Sequence, residues 1–360
     1  MRLLRGSILR VRSRASARPM TSKSFAAIAV ALPLAVACAA TLSILLGGPD
    51  TPPPVQSIND PFKKLDYSSL PPIRHFASRT GERLAYRAYS AYNDSVRNPV
   101  VLIHGSSAGS ISMHVLADAL ARAGYPAYAL DMRGHGDSGS RGHIDYIGQL
   151  EDDIEDFVNS AGIASQATLL GFSSGGGFAL RVAGSARQDL FTSYVLLSPF
   201  LHQDAPTGRP NHGGWVEIGV PRTVTLAILN EIGVTALNHL PIVRFALNDE
   251  ARSFLTPQYS FSLAQNFRPR HDYGLDIRSA NRPMEIVAGA SDEVFHAARF
   301  QEVFASQGKT IPVTIVPDAN HIQLTLEPAA IQAVIAAIDR LDAPSGTAEP
   351  PKASSTPTEH

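Results

Sequence analysis

The chain has a single cysteine in 360 residues, Cys38, and this residue lies in an apolar N-terminal stretch. The body of the chain therefore contains no disulfide bond, no thiolate metal site and no catalytic thiol. A nucleophile in the body must be another kind of side chain.

Acidic residues are missing from the first 49 positions. Seven basic residues come before the first acid, Asp50: Arg2, Arg5, Arg10, Arg12, Arg14, Arg18 and Lys23. Without them, 24 of the 31 basic residues remain against 32 acidic residues, so the rest of the chain has a net charge of −8. Nothing in such an acidic body suggests a surface for nucleic acid, and we expect no nucleic-acid partner.

Charge of either sign is absent from residues 24–49, and residues 25–46 are almost wholly apolar. At about 1.5 Å per helical residue, this run matches a hydrocarbon core of roughly 30 Å. The basic residues 1–23 are expected to stay on the cytoplasmic side. We predict that residues 24–48 form a transmembrane signal anchor or a signal peptide, and that the catalytic domain is membrane-anchored on the periplasmic or extracellular side.

Two alternatives for this segment stay open. Small residues at 37–40 would allow cleavage as a signal peptide, which would release a secreted protein. The sequence LAVAC at 34–38 loosely resembles a bacterial lipobox, which would make Cys38 the lipidated residue of a lipoprotein whose translation starts at Met20.

The remainder divides by composition. Residues 49–72 include Pro52-Pro53-Pro54 and further prolines, and we predict an extended linker there. Residues 73–343 form the folded domain. Residues 344–360 are rich in Pro, Ser, Thr and Glu and are predicted to be a disordered tail.

Short apolar runs alternate with helical periodicity through the folded domain, which predicts an α/β fold with a mostly parallel, doubly wound sheet and right-handed crossovers. Strands are predicted at 83–92, 99–103, 125–130, 167–170, 193–197, 284–288 and 311–316. Helices are predicted at 112–123, 147–161, 176–186 and 328–341.

An irregular insert at about 199–283 interrupts this alternation, with helical patches predicted at 223–232 and 235–247. Because it joins two core strands, we expect it to lie over the strand ends, where open α/β sheets bind ligands. We interpret it as a helical cap.

The sequence Gly-Phe-Ser-Ser-Gly at 171–175 follows the apolar run 167–170 and precedes a predicted helix. This G-x-S-x-G pattern is typical of a tight strand-to-helix turn that presents a nucleophilic serine, here Ser173. The flanking glycines are needed because a side chain would collide with the backbone of the turn.

A serine hydroxyl needs a base, and the base needs an orienting acid. His321 follows one predicted strand and is the candidate base. Asp292 follows the strand before it and is the candidate acid, with Glu293 and Asp318 as weaker rivals. The backbone N–H groups of Ser106 and Ser174 are the candidate oxyanion donors.

The order Ser, Asp, His is that of the α/β-hydrolases. The segment Asp131-Met132-Arg133-Gly134-His135-Gly136-Asp137-Ser138 resembles the D-x-R-G-H-G-x-S segment of their lysophospholipase and monoacylglycerol-lipase-like group, which carries the serine aminopeptidase type of domain. The resemblance covers about residues 75–335. It implies the α/β-hydrolase fold and a structural, non-catalytic role for His135.

We therefore expect a serine hydrolase that cleaves carboxylic esters, such as acylglycerols or lysophospholipids, through an acyl-enzyme and without metal or cofactor. A non-catalytic binding protein is disfavoured because no member of the triad is missing. The sequence does not indicate the oligomeric state. An acyltransferase or a prolyl-aminopeptidase-like peptidase are alternatives. The peptidase would need carboxylates from the cap: Asp204, Glu217, Glu231, Asp249, Glu250, Asp272 or Asp276.

Overall fold

The computed structural model describes residues 22–54, 62, 65–92, 97–210 and 214–343. The predicted tail at 344–360 and almost all of the predicted basic segment lie outside the described residues. Residues 55–61 of the predicted linker lie outside them as well.

Eight strands form the central sheet, in the spatial order β1-β2-β4-β3-β5-β6-β10-β11. Their bounds are β1 Ile73–Ala77, β2 Arg83–Tyr89, β3 Val100–Ile103, β4 Ala127–Leu130, β5 Ala167–Phe172, β6 Phe191–Leu197, β10 Met284–Gly289 and β11 Val313–Val316. The strands from β4 to β11 in this order pair in parallel, and β2 pairs antiparallel with both β1 and β4. The mostly parallel sheet predicted from the sequence is confirmed, and β1 is a strand that was not predicted.

The inner strands are buried on both faces, which is why they are continuous apolar runs. Val101 and Ile103 point into one apolar cluster, whereas Val100 and Leu102 point into another. This alternation is the two-residue period of a strand. The sheet therefore separates two cores.

Helices cover both faces. They are α2 His114–Arg122, α3 Gln149–Ala161, α4 Ser174–Ala183, α9 Arg299–Ser306 and α10 Pro328–Asp342. The helices α2 and α10 pack on one face through Leu120 and Val334. The other three pack on the opposite face, where Phe157, Phe178 and Phe300 enter the core.

The insert between β6 and β10 contains a second sheet as well as helices. Its elements are β7 Val216–Ile218, α5 Val220–Glu231, β8 Pro241–Phe245, α6 Asp249–Phe254, β9 Gln258–Ser260, α7 Phe261–Asn266 and α8 Tyr273–Ser279. The strands pair antiparallel in the order β7-β8-β9. The prediction of a helix at 235–247 was wrong, because β8 is held by strands from both sides that local periodicity does not reveal.

The N-terminal helix α1, Ser22–Leu46, ends against the cap helix α5. Ser43 Oγ lies 2.8 Å from Thr225 Oγ1, and Arg222 Nε donates to the carbonyl of Ile44 at 2.8 Å. Within the described part of the chain, no helix has both the length and the apolar character that a membrane span requires. The predicted transmembrane segment is thus not supported.

Candidate active site

Four predicted site residues follow the carboxyl ends of parallel strands of the central sheet. Ser106 follows β3, Ser173 follows β5, Asp292 follows β10 and His321 follows β11. Because parallel strands end at the same edge of a sheet, their loops meet there.

Ser173 occupies the turn between β5 and α4 with φ of 55° and ψ of −118°, a conformation that a non-glycine residue rarely adopts. The turn is held by Ser173 N, which donates to Leu197 O at 2.9 Å. A Cβ on Gly171 would overlap the carbonyl of Gly175, and a Cβ on Gly175 would overlap the carbonyl of His104. The two flanking glycines therefore permit the close approach that the sequence pattern predicts.

The structure brings Ser173, His321 and Asp292 into one line of hydrogen bonds. Ser173 Oγ lies 3.0 Å from His321 Nε2, and His321 Nδ1 lies 2.9 Å from Asp292 Oδ2. With a proton on Nδ1, the ring donates to Asp292 and keeps Nε2 as an acceptor for the serine hydroxyl.

Asp292 is buried, and its environment favours the charged form. Its Oδ1 accepts hydrogen bonds from the backbone N–H groups of Val294 at 2.8 Å and Phe295 at 2.9 Å. Burial raises the pKa of Asp292, but attraction to His321 and the hydrogen bonds it accepts outweigh burial and lower the pKa below its ordinary value of 3.8. A carboxylate of this kind stabilises a protonated His321.

The ring of His321 is enclosed by aromatic side chains. Its centroid lies 4.8 Å from that of Phe172 and 5.3 Å from that of Phe295. Its backbone N–H donates to Glu293 Oε2 at 3.0 Å. Glu293, a rival for the acid, therefore contacts the backbone of His321, whereas Asp292 contacts the ring.

The candidate oxyanion loop follows β3. The hydroxyls of Ser106 and Ser174 lie 2.5 Å apart, which brings the two predicted donor residues together. The next residue, Ser107, has φ of 67°, and its backbone N–H donates to Tyr259 Oη at 2.5 Å. Ser107 Oγ also donates to the carbonyl of Thr256 at 2.6 Å. The cap thus holds this loop in place.

Tyr259 was not predicted from the sequence, because it lies in the insert, where no motif singled it out. Its hydroxyl also lies 2.7 Å from His135 Nε2. His135 is completely buried, and burial lowers its pKa well below the ordinary value. Among the described residues, its ring forms hydrogen bonds with neither Ser173 nor His321, and it connects the segment 131–138 to the cap instead.

A cavity of about 810 Å³ opens onto Ser173, Ser174, Ser106 and His321. Its wall is mostly apolar, and the cap contributes Trp215, Ile218, Val224, Ile242 and Phe245. Such a volume and lining suit a small apolar ligand or an acyl chain. Among the described residues, no cluster of three or more His, Cys, Asp or Glu side chains could hold a metal ion.

The fold and the arrangement of these loops define an α/β-hydrolase. A family model described as "Serine aminopeptidase, S33" matches residues 94–328, which is more than half of the chain. The chain belongs to this family. The resemblance predicted from the sequence is confirmed, and this match supports the serine hydrolase class that it implied.

A monoacylglycerol lipase of Mycolicibacterium smegmatis is 34% identical over 130 residues, which cover 34% of this chain and 45% of the lipase. The match thus spans less than half of that relative.

Solved structures resemble the whole domain at lower identity. A soluble variant of monoglyceride lipase from Saccharomyces cerevisiae has a TM-score of 0.58 at 18% identity and covers 78% of this chain and 97% of its own. A monoacylglycerol lipase from Paleococcus ferrophilus has a TM-score of 0.52 at 19% identity, with 72% and 98% covered. At these identities the likeness concerns the fold.

Proposed function

We propose that this chain is a serine hydrolase of carboxylic esters, and that its substrates are acylglycerols, lysophospholipids or similar small-molecule or lipid esters. The observation that carries the proposal is the line Ser173–His321–Asp292, with separations of 3.0 and 2.9 Å, at the wall of an apolar cavity. The activity of the lipase relative supports the choice of an acyl ester.

In the proposed mechanism, Ser173 Oγ attacks the acyl carbon while His321 Nε2 takes its proton. Asp292 holds the ring and stabilises its positive charge. The backbone N–H groups of Ser106 and Ser174 receive the oxyanion. His321 then protonates the leaving alcohol and activates a water molecule, which releases the acid from the acyl-enzyme.

Labelling with a fluorophosphonate and hydrolysis of p-nitrophenyl esters of increasing chain length test this proposal. We expect Ser173→Ala to abolish labelling and to lower kcat about 10⁵- to 10⁶-fold, because no other nucleophile replaces the hydroxyl. Circular dichroism controls for folding of the variant. Labelling that persists in folded Ser173→Ala protein would contradict the proposed nucleophile.

The wall of the cavity favours esters over peptides. Among the described lining residues, Glu293 is the only carboxylate, and it lies outside the cap. None of the cap carboxylates that a peptidase would need for a substrate ammonium lines this cavity. Faster turnover of amino-acid arylamides than of esters would overturn the preference, and an added alcohol that outcompetes water would identify an acyltransferase.

We keep the location predicted from the sequence as a proposal: the N-terminal segment holds the enzyme at a membrane, with the catalytic domain exported. Exposed apolar residues of α1, including Leu42, Leu45 and Leu46, support it. Fractionation of cells that express the full chain tests it. Recovery in the membrane fraction is expected, whereas release of a shortened soluble chain would support cleavage, and labelling of Cys38 with a fatty acid would identify a lipoprotein.

A further inference from the structure

Among the described residues that line the cavity, Arg268 is the only arginine, and it follows α7. Its Nη1 donates to Gln203 Oε1 at 3.0 Å, and its Nη2 donates to Gln265 Oε1. Its Nε is buried and has no hydrogen-bond partner. Within the described residues, the guanidinium makes no ion pair with a carboxylate. Its side-chain hydrogen bonds there go only to neutral amides.

Two buried arginines of the domain are arranged differently. Arg133 pairs with Asp153, and Arg181 pairs with Glu151. A cation held in an apolar wall without a counter-ion is costly, and proteins usually avoid it unless a ligand supplies the charge. Burial and the charge of Arg181 lower the pKa of Arg268 to about 10, which leaves the guanidinium charged at neutral pH.

Gln203 and Gln265 extend this group of donors. Each presents its side-chain oxygen to Arg268, so the amide NH₂ of each remains a donor. Both glutamines line the cavity. Glu293, the carboxylate among the described lining residues, accepts a hydrogen bond from the backbone N–H of His321.

The segments that carry Gln203 and Arg268 contact the backbone around the nucleophile Ser173. Phe200 N donates to Ser173 O at 3.0 Å, and Gln203 follows three residues later. On the other side, a Cβ on Gly177 would lie 2.7 Å from Cδ of Pro269, the residue after Arg268. Gly177 is one turn of α4 beyond Ser173, and a helical turn is about 5.4 Å.

We propose that Arg268, Gln203 and Gln265 form an anion-binding subsite that selects esters with a carboxylate or a phosphate close to the scissile bond. The inference rests on the proposed ester hydrolase function and narrows its substrate class. It assigns acyl-chain binding to the apolar wall and recognition of the anion to these three residues.

Binding to the Ser173→Ala protein tests the subsite without catalysis. Trp215 is the single tryptophan of the chain and lines the cavity, so its fluorescence reports occupancy. Dodecyl phosphate, dodecanoate and the neutral ether 1-O-dodecylglycerol are titrated into this protein with and without Arg268→Gln. Arg268→Gln removes a hydrogen bond to a charged group. We therefore expect it to weaken the binding of the two anions about 10- to 100-fold more than the binding of the ether.

Steady-state kinetics of protein that retains Ser173 show whether the subsite prefers a phosphate or a carboxylate. The substrates are 1-lauroylglycerol, 1-lauroylglycerol 3-phosphate and lauroyl lactate, which share one acyl chain. Arg268→Gln should lower kcat/KM for the phosphate or the carboxylate ester about 10- to 100-fold relative to the neutral ester. Arg268→Lys should restore part of the loss. The control is Arg122→Gln, which removes an exposed arginine paired with Asp118 outside the cavity wall.

The two hypotheses fail in different ways. If Arg268→Gln weakens the binding of the anions and of the ether equally, the proposed anion subsite is wrong, even if all three esters are hydrolysed. Selective loss of anion binding without Ser173-dependent hydrolysis of any ester would support the subsite and overturn the proposed function.

Discussion

At the scale of single residues, Asp292 and Glu293 are adjacent carboxylates with different contacts. Asp292 meets the ring of His321, whereas Glu293 accepts the backbone N–H of the same residue. The sequence ranks Asp292 first and leaves Glu293 as a rival, because the side-chain directions of neighbours in a loop are set only when the loop folds.

Asp292→Asn should lower kcat about 10³- to 10⁴-fold, because an amide can donate to Nδ1 and hold the ring in the wrong tautomer. Glu293→Gln is the matched control, since its side-chain oxygen can still accept the N–H of His321. Steady-state hydrolysis of a p-nitrophenyl ester measures both. A larger loss in Glu293→Gln than in Asp292→Asn would reverse the assignment.

The lowered pKa of Asp292 also predicts a pH dependence of stability. The folded-state pKa lies below the ordinary value of 3.8, so the stabilisation is present above that value and is lost as pH falls through the folded-state pKa. The difference in free energy of unfolding between wild type and Asp292→Asn should be constant above about pH 5 and shrink below about pH 4. Urea unfolding at several pH values checks this, and a difference that grows in acid would contradict it.

At the scale of elements, the core strands could be predicted because burial on both faces makes them apolar throughout. The cap strand β8 could not be predicted. Only its two partner strands make it a strand, and one of them lies more than twenty residues away along the chain. The same reason hid Tyr259, which acts through contacts with distant loops.

Tyr259→Phe should leave the N–H of Ser107 and the buried His135 without the hydroxyl that connects them. We expect a loss of about 1–3 kcal/mol in the free energy of unfolding, because buried polar groups lose their partner. We also expect kcat to fall more than KM rises, since the loop that carries Ser106 moves. Tyr128→Phe is the control, because among the described residues its hydroxyl makes no hydrogen bond. An unchanged kcat would show that the cap does not position this loop.

At the scale of the whole molecule, α1 is joined to the cap by the side chain of Arg222. In addition to Ile44, this side chain contacts the carbonyl of Pro241 in β8 at 2.8 Å. The backbone N–H of Arg222 donates to Gly47 O at 3.2 Å. Hydrogen bonds of Arg222 therefore link the end of the N-terminal helix to the cap strand β8, which contributes to the wall of the cavity.

Arg222→Ala should release the end of α1 from the cap. Hydrogen exchange of peptides that cover residues 40–54 should become faster, since the side-chain bonds to Ile44 and Pro241 are lost. Arg252→Ala, which removes an arginine bonded within the cap to Leu247 O, is the control. Equal exchange in both variants would show that the Arg222 contacts do not hold the helix.

The sequence by itself determined the parallel core, the nucleophile turn and the chain order of Ser173, Asp292 and His321. These features depend on local rules: apolar runs, glycines in a tight turn, and the position of a residue after a strand. Tertiary structure alone decided which carboxylate meets His321, how the cap folds and where Arg268 lies. Those outcomes depend on contacts between distant segments, which no local pattern encodes.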